Sequence, residues 1–357
     1  MKAYNIAFYG PVDSGKTSIL EQFCGPVNKY AHEIKGSITT VLGATSYTLS
    51  DRQGCTRTIH LVDTPGHKMR RHSTYASLYF INHAMILLNP EKPCDSNIFI
   101  DMCKLIGCPY TIIFNKIDTY DFKTVGLKLE AFKKLYGVHV LPYTIFSDRA
   151  RQNLEDFMAN IQKFKELDIA PGIFHILKSY NPVKPNTTIN NIGGAIVGGI
   201  GKDIHTGETL MIHGVRSLTG LKKTVKPLKI LNIRKTGVNC KVLNTPEFYS
   251  METSMLPDFA AQDALQGLFM TREGNNLESK LLFMMRDVKK YAALKKGGQY
   301  GFLYRGRRYS ATIKDVKKGL FRTSTGLKIQ KNIDFAIFYD LKFTRVVAIT
   351  NFEEYRG

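Results

Sequence analysis

No stretch of about twenty apolar residues occurs in the 357-residue chain, so no segment reads as membrane-spanning. The start, MKAYNIAFYG, lacks a signal peptide's long apolar core and small-residue cleavage site, and enters a strand-like run at once. The six cysteines, Cys24, Cys55, Cys94, Cys103, Cys108 and Cys240, include no CxxC pair. That spacing gives no zinc signature and suits a reducing compartment. These absences lead to the expectation of a cytoplasmic protein with no membrane partner. No fixed-period repeat or low-complexity tract appears either. Acidic residues are the remaining shortage: 30 Asp/Glu face 50 Lys/Arg, a formal net charge of +20. The shortage is uneven, with 20 basic and 16 acidic groups in residues 1–168, 12 and 7 in 169–273, and 18 and 7 in 274–357. The last third is therefore a candidate surface for phosphate polymers, because clustered Lys/Arg displace counterions from nucleic acid.

The first half alternates short apolar runs with helical patterns. Tyr4–Tyr9, Thr58–Val62, Ala84–Leu88, Tyr110–Phe114 and Val138–Phe146 read as buried strands. Arg149–Lys165 reads as a helix, with Leu154, Phe157, Met158, Ile161 and Phe164 on one face. Strands alternating with helices predict an α/β domain built on a mostly parallel sheet with helices on both faces. Tyr47–Asp63 looks like two strands joined by a turn around Arg52–Gly54, which adds one antiparallel edge pair. After Asp168 the helical period vanishes, and short strands and turns continue to the C-terminus. Two small β-barrels fit that length. The expected domains are 1–168, 169–273 and a basic 274–357, with Leu277–Leu294 a possible linker into the last barrel.

GPVDSGKT (Gly10–Thr17) has the phosphate-loop pattern G-x4-G-K-[ST] between a strand and a helix. Backbone N–H groups of such a loop, together with the helix N-terminus behind it, bind phosphate oxygens. Val12, Asp13, Ser14, Gly15, Lys16, Thr17 and Ser18 are the candidate phosphate-binding residues, with Lys16 bridging the terminal phosphates and the Thr17 hydroxyl on Mg²⁺. NKID (Asn115–Asp118) follows a strand about a hundred residues later. The Asp118 carboxylate can accept from the ring N–H and exocyclic amine of guanine, Lys116 can cover the base, and Asn115 can tie this loop to the phosphate loop. The predicted ligand is thus GTP or GDP rather than an adenine nucleotide. DTPG (Asp63–Gly66) ends another strand, where Asp63 can hold Mg²⁺ through water and the Gly66 N–H can meet a γ-phosphate. His67 follows directly and is the candidate for orienting an attacking water, so His67 and Lys16 are the expected catalytic pair. Thr39, with Thr40 as its rival, is the candidate for closing over Mg²⁺ and the γ-phosphate. Ordering of that loop by GTP would make the protein a switch. The run Lys68–His72 (KMRRH) places a cationic strip immediately behind the γ-phosphate contact.

GPVDSGKT, ITTVLG, DTPGH and NKID, in this order, resemble the translational GTPases, a family that adds two β-barrels to its GTPase domain. Within it, ITTVLGA (Ile38–Ala44), KPNTTINNIGGAIVGGI (Lys184–Ile200) and SMLPDFAAQDALQG (Ser254–Gly267) are similar to segments of the gamma-subunit branch of initiation factor 2. The resemblance implies a GTPase that binds initiator methionyl-tRNA when GTP-loaded and delivers it to the small ribosomal subunit. It implies alpha and beta partner subunits, a GTPase-activating factor and an exchange factor. It also implies that Val12 and Ile38 flank His67 as an apolar gate, and that Ser147, with Asp148 after it, backs the guanine. The chain departs from the branch at Pro11, Ser14 and Asp148, in the basic strip, and in having a bare turn near Asp51–Gly54 where many relatives carry a metal knuckle. Two other functions stay open. One is an elongation-type factor carrying aminoacyl-tRNA. The other is a non-hydrolysing, GTP-gated scaffold.

Overall fold

A computed structural model describes residues 3–25, 43–66, 71–88, 91, 96–167, 169–180, 196–216, 223–235, 238–254, 265, 267–273, 280–305, 307–327, 334–342 and 345–356. The chain divides into two compact units, Met1–Leu167 and Asp168–Gly357.

In the first unit, six strands form one sheet in the order β2-β3-β1-β4-β5-β6. They are β1 (Ala3–Tyr9), β2 (Gly43–Ser50), β3 (Thr56–Asp63), β4 (His83–Leu88), β5 (Tyr110–Phe114) and β6 (Val140–Pro142). Every neighbouring pair is parallel except β2–β3, the antiparallel edge pair. Helices α1 (Lys16–Cys24), α2 (Arg71–Ser77), α3 (Asn97–Leu105), α4 (Phe122–Tyr136) and α5 (Asp148–Ala159) connect or follow these strands. The continuous apolar character of β1 and β4 follows from burial: from Ile6 to Tyr9, and from His83 to Leu88, every residue is buried. Ile6, Phe8, Ile59, Leu61, Met85, Leu87 and Ile113 pack with Ile19 and Leu20 of α1 and Leu154 and Met158 of α5 in one core.

Three local expectations change. The helix expected to Lys165 ends at Ala159, where Asn160 takes up the backbone carbonyl of Asp156 through both its backbone N–H and its side-chain amide. Ile161 and Phe164 still pack on the core, Phe164 by stacking on Tyr4 at 3.8 Å between ring centroids, so their apolar spacing reflects tertiary packing rather than helix. The strand expected over 138–146 is only Val140–Pro142, after which the chain forms the loop that meets β5. Finally, Leu277–Leu294 is no linker: it contains β16 (Lys280–Lys290).

The β2–β3 turn needs no metal. The Asp51 carboxylate accepts from the backbone N–H of Gln53 and Cys55, each at 2.9 Å, and pairs with Arg57 at 3.4 Å. Gly54 closes the turn at φ 77°, a left-handed conformation suited to glycine.

The second unit contains two barrels. In the first, β7 (Ile173–Tyr180), β8 (Ile196–Lys202), β10 (Thr209–Arg216), β11 (Lys223–Lys235), β14 (Glu247–Thr253) and β15 (Phe269–Thr271) run β10-β15-β7-β8-β14-β11, and β11 pairs back onto β10 to close the ring. Short strands β9 (Ile204–His205), β12 (Val238–Cys240) and β13 (Val242–Leu243) add to its margins. The second barrel is closed in the order β16-β19-β18-β17-β20-β21, with β17 (Gln299–Tyr304), β18 (Arg307–Asp315), β19 (Leu320–Leu327), β20 (Asp334–Tyr339) and β21 (Val346–Glu354). Closure removes exposed sheet edges. Its interior is aromatic: Phe283, Phe302, Phe321, Phe338 and Phe352 are fully buried, and Phe302 and Phe321 each meet Phe338 edge-on at 5.1 Å.

Glycine in β8 has a packing cause. A Cβ on Gly199 would overlap the His175 carbonyl oxygen of β7, and one on Gly201 would lie 2.6 Å from the Phe174 ring. Gly199→Ala is expected to destabilise the protein by about 1–3 kcal/mol, because backbone must shift to admit the methyl. Gly126→Ala, in α4 with open space around it, is expected to stabilise by up to about 1 kcal/mol. Urea unfolding of both variants checks the pair. Equal midpoints would contradict the packing account.

Candidate functional site

Ligands of open α/β sheets bind beyond the carboxyl ends of the strands. Here the ends of β1, β3 and β5 deliver Gly10–Lys16, Asp63–Gly66 and Asn115–Asp118 respectively. These are three of the four segments singled out by sequence.

The phosphate loop turns on two left-handed residues, Asp13 at φ 60° and Gly15 at φ 89°. Lys16 begins α1 and is buried beneath the loop. Its ammonium donates to the carbonyls of Pro11 at 2.7 Å and Gly10 at 3.0 Å, and approaches the Ser14 hydroxyl at 3.3 Å. Burial lowers its pKa to about 8, against the opposing pull of Asp63 and Asp13. Among the described residues no carboxylate forms an ion pair with it, so its direct hydrogen-bond partners there are neutral acceptors while Asp63 and Asp13 act on it from farther away. A phosphate is the ligand class such a group favours.

The Thr17 hydroxyl donates to Asp63 Oδ2 at 2.9 Å. The fit to Mg²⁺ rests on this pair. A hydroxyl and one carboxylate at the edge of a phosphate loop match a cation that keeps water and phosphate as its other ligands. Among the described residues there is no cluster of three or more His, Cys, Asp or Glu that would instead suit a fully protein-ligated metal. Gly66 lies against the phosphate loop: a Cβ there would sit 2.9 Å from Lys16 Nζ and 3.0 Å from both Pro11 O and Val12 N. The DTPG turn and the phosphate loop are therefore packed backbone to backbone.

The third segment joins the same structure. Asn115 is buried, and its side-chain N–H donates to the Ser14 carbonyl at 2.8 Å. A Cβ on Gly15 would overlap that same Asn115 amide. Lys116 adopts φ 59°, rare for a residue with a side chain, and so turns the chain into the 3-10 segment Ile117–Thr119. Asp118 Oδ1 accepts from the Thr144 hydroxyl at 2.5 Å. That bond fixes the carboxylate on its loop. Thr144 is the residue sequence reading missed; it lies between the β6 strand and Ser147 with no motif to mark it. Ser147 is the N-cap of α5, its hydroxyl accepting from Ala150 N at 3.2 Å, and Asp148 is exposed in the first turn of that helix. Val12 is exposed at 37% on the phosphate loop, and Ser18 is exposed in the first turn of α1. Ile38, Thr39, Thr40, His67 and Lys68–Arg70 lie outside the described residues, as do the side chains of Arg71 and His72.

A phosphate-loop turn, a hydroxyl–carboxylate pair beside it, and a carboxylate fixed on a separate loop form the arrangement of a nucleotide-binding site. Residues 1–167 match the family model described as the elongation factor Tu GTP binding domain. The chain is 24% identical over 299 residues to translation initiation factor 2 subunit gamma of Methanocaldococcus jannaschii, an alignment covering 74% of this chain and 72% of that one. It is 22% identical over 377 residues to the subunit of the same name from Sulfurisphaera tokodaii, covering 92% and 88%. Among solved structures it is similar to a bacterial selenocysteine-specific elongation factor, EF-Sec, with a TM-score of 0.75, 15% identity and 98% of this chain covered. This chain spans 58% of that structure's length, and the likeness bears on the fold alone.

The Asp118–Thr144 geometry gives a direct test. Asp118→Asn is expected to weaken guanine-nucleotide binding by about 1.5–3 kcal/mol, the range for removing a charge-assisted pair. It should improve binding of xanthine nucleotides, whose exocyclic oxygen meets the new amide donor. Thr144→Val should weaken guanine binding to a lesser degree, because it frees the carboxylate without removing it. Competition binding with GDP and xanthosine diphosphate reads both. Unchanged GDP affinity in the Asp118 variant would remove NKID from the site.

Proposed function

On the premise that this chain belongs to the translational GTPases, we propose that it is a GTP-switched initiation factor of the gamma-subunit type, carrying initiator methionyl-tRNA to the small ribosomal subunit. The observation that carries this reading is the extent of likeness: the relationship to the Sulfurisphaera tokodaii gamma subunit runs through 92% of this chain, well past the GTP-binding domain. In this reading the domains divide at 168 and 273, and the protein works in the cytoplasm with alpha and beta subunits, a GTPase-activating factor and an exchange factor.

Each side chain then has a stated task. Asp13–Ser18 wrap the phosphates, and Val12 forms one wall of the water's approach. Lys16 exchanges its loop carbonyls for phosphate oxygens. Thr17, Asp63 and Thr39 hold Mg²⁺, which when bound neutralises charge between the phosphates. Gly66 donates its N–H toward the γ-phosphate, and its lack of a side chain lets this turn pack against the phosphate loop. Asn115, Lys116 and Asp118 read the guanine, with Ser147 and Asp148 behind it. His67, one residue beyond Gly66, orients the water that attacks the γ-phosphorus as the bond to the bridging oxygen breaks. The strip Lys68–His72 follows at once, so its contact with RNA phosphates depends on nucleotide state.

Two experiments test this. Filter binding should show initiator methionyl-tRNA held more tightly than elongator tRNAs with a non-hydrolysable GTP analogue, and weakly with GDP. Equal binding of elongator aminoacyl-tRNAs would favour an elongation-type carrier, and no tRNA binding in either state would favour a scaffold. His67→Ala should retain GTP and tRNA binding while reducing ribosome-stimulated hydrolysis by roughly 10²-fold or more. Unchanged stimulated turnover would end the assignment of His67.

A further inference from the structure

The loop between β6 and α5 is bonded to the NKID segment through main chain and side chain. Tyr143 N donates to Phe114 O at 2.9 Å, and Ile117 N donates to Tyr143 O at 3.2 Å. These bonds lie on either side of Asn115. The Thr144 hydroxyl then meets Asp118 at 2.5 Å. From α1, the Gln22 side-chain N–H donates to Ile145 O at 2.7 Å, and the Gln22 side-chain oxygen accepts from the Tyr143 hydroxyl. Gln22 therefore ties the helix that begins at Lys16 to the loop that fixes Asp118. Beyond the loop, Ser147 caps α5.

One large side chain is left outside this framework. Phe146 is 80% exposed, although Tyr143 and Thr144 before it are buried. Its own N–H donates to the Thr144 hydroxyl at 3.3 Å. One hydroxyl thus contacts both the carboxylate of Asp118 and the residue that carries the ring. A single exposed apolar side chain is ordinary on a protein surface and says nothing by itself. Phe122, exposed at 95% at the start of α4, is such a case: none of the bonds that build this loop reaches it. Phe146 differs in its place, on a loop held from both the base-reading segment and the helix of the phosphate loop.

We propose that Phe146 is the stacking wall of the base site, its ring lying on the face of the guanine whose edge Asp118 reads, and that Gln22 is the residue that positions it. This rests on the reading of NKID as the guanine-binding segment. A base offers hydrogen-bonding groups in its plane and a π face perpendicular to it, so edge readout and stacking form together. Asp118 is exposed, and water competes for its carboxylate. A ring laid over the base shields those hydrogen bonds and adds affinity of its own. Every base has a π face, so stacking is tolerant of base identity. Phe146 therefore supplies affinity, while Asp118 supplies the preference for guanine.

The test uses the full-length protein and calorimetric titration with GDP, xanthosine diphosphate and pyrophosphate. Phe146→Ala should weaken GDP binding by roughly 5- to 150-fold, the range for removing one base–aromatic stack. It should leave the preference for GDP over xanthosine diphosphate unchanged, and leave pyrophosphate binding as in the wild type. Phe122→Ala should change none of these. The chain contains no tryptophan, so Phe146→Trp creates a lone reporter. Its emission should be quenched by GDP and not by pyrophosphate, and Gln22→Ala in that background should reduce the quenching without altering pyrophosphate affinity. Wild-type GDP affinity in Phe146→Ala, beside a loss in Asp118→Asn, would overturn the stacking role and leave the base site standing. Unchanged GDP affinity in both variants would remove the base site and the proposal with it. Equal losses for GDP and pyrophosphate in Phe146→Ala would also overturn it, by showing that the substitution disturbs the phosphate loop.

Discussion

Burial of the Lys16 ammonium is the constraint on which the site depends. A cation removed from water needs acceptors on several sides, and here the carbonyls of Gly10 and Pro11 and the hydroxyl of Ser14 supply them. To point those carbonyls inward the loop takes left-handed turns at Asp13 and Gly15. To hold the loop in that shape, Asn115 binds the Ser14 carbonyl from below. To bring Asp63 near the ammonium, the DTPG turn must pass without a side chain at Gly66. Each of these segments leaves a different strand of one sheet, so the sheet order is the device that makes a single site of them.

The two ends of the function use charge differently. At the nucleotide site a lone cation is buried and its pKa is pulled down, so its preference for an anionic ligand is strong and local. On the last barrel the lysines gathered at one end are exposed, where their charge is screened by salt over about 10 Å at 0.1 M.

Much of this was legible in the sequence. GPVDSGKT, DTPG and NKID each follow a strong β pattern, so their placement at strand ends came from the alternation of apolar runs and helices. The mixed sheet and the two barrels followed from where the helical period stops. Three features were hidden for physical reasons. Thr144 acts through one hydroxyl in a loop with no motif. Phe164 kept a helical spacing outside a helix because stacking on Tyr4, not periodicity, fixes its place. The basic residues of the last barrel are spread from Lys290 to Arg345 in sequence, and only strand register collects them at one end.

The most direct test of the central claim is proton uptake on GDP binding, read by calorimetry in buffers of different ionisation enthalpy. A lysine whose pKa is lowered to about 8 in the free protein is already protonated at lower pH and largely neutral above it. A bound phosphate favours the charged form and raises the pKa. Affinity should therefore be level below pH 8 and fall by up to about tenfold per unit above it. Uptake should be about 0.2 proton at about pH 7.5 and approach one at about pH 9. No uptake at the higher pH would contradict the account, because it would mean that Lys16 does not change its charge-stabilising partner when the nucleotide arrives.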